Sequence, residues 1–212
     1  MMGPAKGPPR RVVHDGRYAR LEPIAVTHAG DLFAAAGPER YTYLLSTAPR
    51  DENEMTARLA DEATKDDPLA FAVIDKSTGR AEGRQSLMRI TPEHGVIEIG
   101  GILWGDRIAR TRVATEAQYL FTRHVFDDLG YRRYEWKCNA LNLPSRRAAA
   151  RFGFTFEGIF RQHQIIKGQN RDTAWFAMID VDWKRIKAGY ELWLDPSNFD
   201  ADGVQKTKLA FD

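Results

Sequence analysis

Gly95-Val96-Ile97-Glu98-Ile99-Gly100-Gly101-Ile102-Leu103-Trp104 is a β-branched apolar run bounded by glycine, and it predicts a strand. A short basic loop follows, Asp106-Arg107-Ile108-Ala109-Arg110-Thr111-Arg112. Val113, Ala117, Leu120, Phe121 and His124 then recur at helical spacing, so a helix is expected from Val113 to Leu129, stopped by Gly130. A second strand, Arg133 to Cys138, leads through Asn139-Ala140-Leu141-Asn142-Leu143-Pro144-Ser145 into a short helix ending at Arg151. The first helix joins two strands that should lie parallel, a right-handed βαβ crossover. A strand, a basic loop and a helix N-terminus in succession bring free N–H groups and the positive end of a helix dipole together, which suits a phosphate. The alternative is that Arg107, Arg110 and Arg112 form a solvated basic loop.

Working outward, residues 1–10 are rich in Gly and Pro and predict a disordered tail. Asp15-Gly16 sits between short extended runs and predicts a hairpin. Thr27 is expected to cap a helix that Gly37-Pro38 ends, and Asp51 to Lys65 forms a second helix. Tyr41 to Leu45 reads as the start of a loop over a pocket. Leu69 to Asp75 and Ala81 to Ile90 are strands around a turn at Lys76-Ser77-Thr78-Gly79. Two more strands are expected on either side of Lys167-Gly168, then a helix from Val181 to Tyr190. Residues 191–212 read as a C-terminal tail and 11–190 as one domain. The fold class is α/β with mixed α+β character: a mostly antiparallel sheet of about seven strands with helices on both faces.

The chain has 212 residues, enough for one substantial core. A net charge of +2 is too even for a dedicated nucleic-acid or membrane binder. No run reaches the roughly 18 apolar residues of a membrane helix. Cys138 is the only cysteine, so no internal disulfide can form and a reducing, cytoplasmic setting is expected. The five histidines are scattered, without the spacing of a zinc site, so no metal is expected.

Ile97-Glu98-Ile99-Gly100, Ala114-Thr115-Glu116-Ala117, Asn142 with Ser145, Gly153-Phe154 and Glu157-Gly158, in this order, resemble the Gcn5-related N-acetyltransferase (GNAT) superfamily. Within it the chain is most similar to the branch that acetylates ribosomal-protein N-termini. The resemblance spans roughly residues 12–185. It implies an N-acetyltransferase with acetyl-CoA as co-substrate and a primary amine as acceptor, either a peptide N-terminus or a small amine, reacting in a ternary complex. The family's phosphate loop maps to Ala109-Arg110-Thr111-Arg112-Val113-Ala114. Its last position matches, but Ala109 replaces a Gln or Arg, and Arg112 replaces a glycine that would tolerate positive φ. Arg110 and Arg112 could instead offer charged forks to phosphate.

The resemblance further implies that Ile102, Leu103 and Trp104 present backbone groups to the pantetheine arm and that Asn142 hydrogen-bonds it; the other reading of Asn142 is a cap on the helix that follows. It makes Glu98 the candidate base; the alternative for Glu98 is a strand carboxylate paired with an arginine. His94 is a second candidate base. The tyrosine acid found in many relatives is Ala149 here, so Ser145 becomes the candidate partner of the thiolate, with helix capping as its other reading. Cys138 reads as a small core residue. Two other classes stay open: a non-catalytic acyl-CoA-binding or sensor protein, and an RNA-binding module on Tyr131 to Tyr134 and Ser145 to Arg147. A homodimer is compatible with the sequence. The acceptor segments mix Arg161, His163, Lys167 and Arg171 with Asp172, a poor match to a polyamine; a peptide N-terminus or a small amine bearing an acidic group fits better.

Overall fold

The computed structural model describes residues 3–211. In chain order the strands are β1 (His14–Asp15), β2 (Ala19–Pro23), β3 (Leu69–Asp75), β4 (Arg80–Thr91), β5 (Val96–Trp104), β6 (Arg133–Asn139), β7 (Thr155–Ile166) and β8 (Gln169–Ile179). The α-helices are α1 (Ala29–Ala35), α2 (Glu52–Glu62), α3 (Arg112–Arg123), α4 (Leu143–Arg151) and α5 (Asp180–Leu194). All eight strands join one sheet in the order β1-β2-β3-β4-β5-β6-β8-β7. Neighbours are antiparallel except β5 and β6, the parallel pair spanned by α3. The mixed, mostly antiparallel sheet is the one expected; the hairpin at Asp15-Gly16 supplies its outermost pair.

Two apolar layers sandwich the sheet. On one face Val113, Ala117, Leu120 and Phe121 of α3, with Trp183, Ile186 and Tyr190 of α5, pack on Ile97, Ile99, Tyr134, Trp136 and Phe176. On the other, Leu32 of α1 and Met55 and Leu59 of α2 cover Ala70, Ala72, Ile74 and Ala81. That second layer covers β3 and the start of β4 only. Alternation therefore leaves Glu98 of β5 and Lys137 of β6 on a face with no helix over it.

Two features of β5 open the sheet beside it. Its ladder to β6 ends at Ile99 opposite Trp136. Between the pairs Ser86–Gly100 and Arg84–Leu103, two β5 residues oppose the single β4 residue Gln85. This is a bulge, and Gly101 supports it with φ +59, a left-handed conformation that costs a glycine little.

α3 is shorter than the periodicity suggests. It closes at Arg123 and passes into a π-helical turn, His124–Asp128, before Gly130. Thr27 does not cap α1: a 3-10 turn, Val26–His28, comes first, and the His28 ring accepts the Ala25 N–H at 3.2 Å.

The termini differ most from expectation. Ala5 N–H donates to Pro92 O and Lys6 N–H to Leu129 O, both at 2.9 Å, so the N-terminal stretch is pinned to the domain. Met1 and Met2, part of the expected tail, lie outside the described residues, as does Asp212. Residues 191–194 complete α5. The segment after it folds back: Phe199 is buried, Trp193 Nε1–H donates to Thr207 O at 3.1 Å, and Phe211 fills the space left by Gly189.

His14 is buried against Phe71 and Phe121 and lies 4.5 Å from the His124 ring. Burial above all, helped by His124 and Arg123 and opposed by Asp128, lowers its pKa from 6.5 to about 4. The unfolded chain then binds a proton at His14 before the folded chain does. Its contribution is full above pH 6.5 and is lost as pH falls towards about 4. The expected loss is about 3 kcal/mol. Urea unfolding between pH 7.5 and 4 should show it, and His14→Phe should flatten that part of the curve. An unchanged slope in the variant counts against this origin.

Candidate active site

A cleft of about 1080 Å³ runs through the sheet where β5 parts from β6. One end lies between α3, α4 and the loop before α3; Ala109, Arg110 and Ala114 line it together with Asn142, Ser145 and Arg151. The other end opens on the uncovered sheet face, lined by Arg84, Met88, Glu98, Lys137, His163 and Arg171. The strap Tyr41 to Ser46 closes over this second end, as its reading as a loop over a pocket anticipates. Lys167, at the turn between β7 and β8, donates from Nζ to the Tyr41 carbonyl at 2.8 Å and ties the turn to the strap.

Of the coenzyme residues expected from sequence, Ile102, Leu103, Trp104, Ala109, Arg110, Ala114, Asn142 and Ser145 line the cleft, whereas Thr111, Arg112 and Val113 do not. Thr111 is the N-cap of α3, its Oγ1 accepting the Val113 N–H at 3.2 Å. Val113 packs in the core. Arg112 points away from the cleft, with its guanidinium 4.5 Å from the Tyr18 ring and 5.2 Å from the Phe199 ring. The aromatic slot built by β2's approach and the C-terminal segment captures it. The left-handed residue of the loop is Arg110, at φ +67, so Arg112 sits in regular helix and needs no glycine.

Trp104 reaches across the bulge, its Nε1–H donating to Gln85 Oε1 at 3.1 Å, while Gln85 Nε2 donates to the Ala117 carbonyl at 3.0 Å. This chain ties β5 to α3. Asn142 caps α4, its Oδ1 accepting the Ser145 N–H at 3.1 Å. Of the two residues weighed for capping, Asn142 takes that role. Ser145 Oγ instead accepts the Trp136 Nε1–H at 3.0 Å, and its hydroxyl also hydrogen-bonds the Cys138 thiol. Cys138 is buried beside Ser145, and burial pushes its thiol up. Ala149 is wholly buried in the core.

Glu98 is 5% exposed. Its Oε2 accepts from Lys137 Nζ at 2.8 Å and lies 3.0 Å from Arg89 Nε, so the paired reading holds while the side chain also faces the cleft. Burial raises its pKa, against the pull of Lys137 and Arg89. Lys137 also pairs with Glu135 at 2.7 Å and lies 3.9 Å from the centre of the Trp175 ring. His94 is in a 3-10 turn (Pro92–His94) away from the cleft. His163 does line the cleft, with Nδ1 3.0 Å from Thr173 Oγ1.

Lys137 and Arg89 are not singled out by the sequence, which names Arg171 only as one of several cations in an acceptor segment. Alternation along Arg133 to Cys138 puts Lys137 on one face with Glu135, but only the parallel register, Glu98 opposite Glu135, brings it to Glu98. Among the described residues no group of three or more His, Cys, Asp or Glu side chains could hold a metal ion. No helix among them is long and apolar enough to cross a membrane.

The acetyltransferase (GNAT) domain model matches residues 19–155. A GCN5-related N-acetyltransferase from Brucella melitensis is 53% identical; the match covers 98% of this chain and 96% of that one, with a TM-score of 0.95. A GNAT-family protein from Chromobacterium violaceum is 34% identical over 87% of this chain and 93% of its own, with a TM-score of 0.79. The microcin C7 self-immunity acetyltransferase MccE, solved with acetyl-CoA and AMP, shares the fold at 19% identity and a TM-score of 0.67, over 77% of this chain and 93% of its own. No curated protein matches the chain.

Proposed function

The chain belongs to the GNAT acetyltransferase family, and on that premise we propose that it is an N-acetyltransferase moving the acetyl group of acetyl-CoA to a primary amine, by direct attack in a ternary complex. The observation that carries this reading is the parting of β5 from β6 after Ile99, with the bulge at Gly101 beside it. It frees strand backbone inside the cleft and lets two reactants meet from opposite faces of the sheet.

The residues present fit the coenzyme. Arg110 and the N-terminus of α3 would hold the phosphates, backbone of Ile102 to Trp104 the pantetheine arm, and Asn142 and Ser145 its inner end. Bound acetyl-CoA supplies an activated thioester carbonyl. Glu98 takes the amine proton, directly or through one water, on Oε1, since both its cations engage Oε2. Backbone N–H groups of β5 face the developing oxyanion. Ser145, oriented by Trp136, donates a hydrogen bond to the leaving sulfur as the new C–N bond forms and the C–S bond breaks.

The ion pairs on Glu98 favour one alternative, a non-catalytic acyl-CoA-binding or sensor protein of the same fold. Calorimetry with acetyl-CoA, alongside thiol release over an acceptor panel, separates the two. Enzyme and sensor both bind at micromolar concentration, and only the enzyme releases thiol in proportion to acceptor. Arg110→Gln should weaken acetyl-CoA binding about tenfold. Arg112→Ala should change it by less than about twofold while lowering stability by about 1 kcal/mol through the lost stacking. The reverse pattern would return the phosphate role to Arg112.

A further inference from the structure

Among the described residues, the cations that line the acceptor end of the cleft are matched by acids, with one exception. Arg84 pairs with Glu62 at 2.8 Å. Arg89 and Lys137 share Glu98, and Lys137 and Arg133 share Glu135. Arg171 is 9% exposed and lines the cleft, yet it has no salt bridge to any described residue, and its Nε has no hydrogen-bond partner. It stands on β8 on the same face as Thr173 and Trp175, and the carboxylate whose charge it feels, Glu98, already serves two other cations. A buried guanidinium without a carboxylate of its own is unfavourable. A planar fork of that kind, open to a cleft, matches a carboxylate.

The coenzyme is a poor source of this anion. Its phosphates belong at the α3 end of the cleft with Arg110, and its thioester is uncharged. We propose that Arg171 binds a carboxylate on the acceptor and that the acceptor is a small amino acid, its amine directed to Glu98 and its carboxylate to Arg171. This rests on the acetyl-transfer reading above. A small molecule is favoured over a protein terminus because the strap is tied down by Lys167 over the same end of the cleft.

The test is thiol release from acetyl-CoA with the standard L-amino acids and their matched α-amides, on the wild type, Arg171→Gln and Arg171→Lys. An acid should be preferred over its own amide by about 100-fold in kcat/KM. Arg171→Gln should collapse that ratio to near one, chiefly by lowering the rate with the acid. Arg171→Lys, which keeps the charge and loses the fork, should fall between. Equal use of acids and amides, preference for peptides over free amino acids, or an equal loss on both in Arg171→Gln overturns the proposal; the last result would place Arg171 at the reacting thioester. A direct readout stands beside turnover: thermal stabilisation by the amino acids and their N-acetyl products, with and without desulfo-CoA. Stabilisation in the wild type that Arg171→Gln abolishes supports the proposal, and its absence throughout, with no acid preference in turnover, sinks it. Calorimetry with acetyl-CoA is scored separately. Failure to bind removes the acetyl-transfer reading, whereas binding without any carboxylate preference removes only the assignment to Arg171.

Discussion

Glu98→Gln should lower kcat by about 100- to 1,000-fold, the range of a lost general base. Acetyl-CoA affinity should change by less than about twofold, because Glu98 lies on the sheet face opposite α3. The substitution removes a charge and keeps the shape, so Lys137 retains Glu135 while Arg89 loses its partner. Burial raises the Glu98 pKa, so the acid limb of the wild-type kcat profile should begin above the ordinary glutamate range. The rate falls as pH drops through that limb, since the protonated carboxyl no longer accepts. In Glu98→Gln the limb should vanish. A variant within about threefold of wild-type kcat, but with a lower melting temperature, would make Glu98 a structural ion-pair residue and leave His163 as the histidine that lines the cleft.

Glu116→Ala should cost the fold about 3–5 kcal/mol. The Glu116 carboxylate, carried by α3, accepts three backbone N–H groups at the turn into β2: Arg17 at 2.9 Å, Tyr18 at 2.5 Å and Ala19 at 2.6 Å. It fits because Gly16 has no side chain; a Cβ there would lie 2.6 Å from the carboxylate. Alanine strands those donors and frees the hairpin from the helix. Urea unfolding at pH 7 reads the loss directly, and a cost below about 1 kcal/mol would mean that water replaces the carboxylate. Since Tyr18 also forms half of the slot around Arg112, the variant should loosen the start of α3 as well.

The central crossover was legible because its signals are local. The β-branched run at Val96, the helical recurrence of Val113, Ala117 and Leu120, and the stop at Gly130 all act within one element. Asn142 and Ser145 were legible as a pair for the same reason, although what the Ser145 hydroxyl bonds depends on the position of the Trp136 indole. Arg112 misled because its neighbours come from Tyr18 and Phe199, far away in sequence, and no spacing near residue 112 encodes that slot. The C-terminal segment misled through composition. Its Pro, Ser, Asn and Asp residues resemble a tail, yet the Asn198 side chain donates to Trp193 O at 2.9 Å and accepts from Thr207 N–H, also at 2.9 Å, which turns polar sequence into a built corner. Lys137 and Arg171 needed the strand register, which decides what faces what across β5, β6 and β8.

The tie between Lys167 and the strap ends on the main-chain oxygen of Tyr41. Every residue type presents that oxygen, so substitutions along Tyr41 to Ser46 can alter the lining of this end of the cleft while the fastening stays in place. Descendants of this scaffold are therefore free to change what the cleft admits by drifting in the strap, without having to reinvent how it closes.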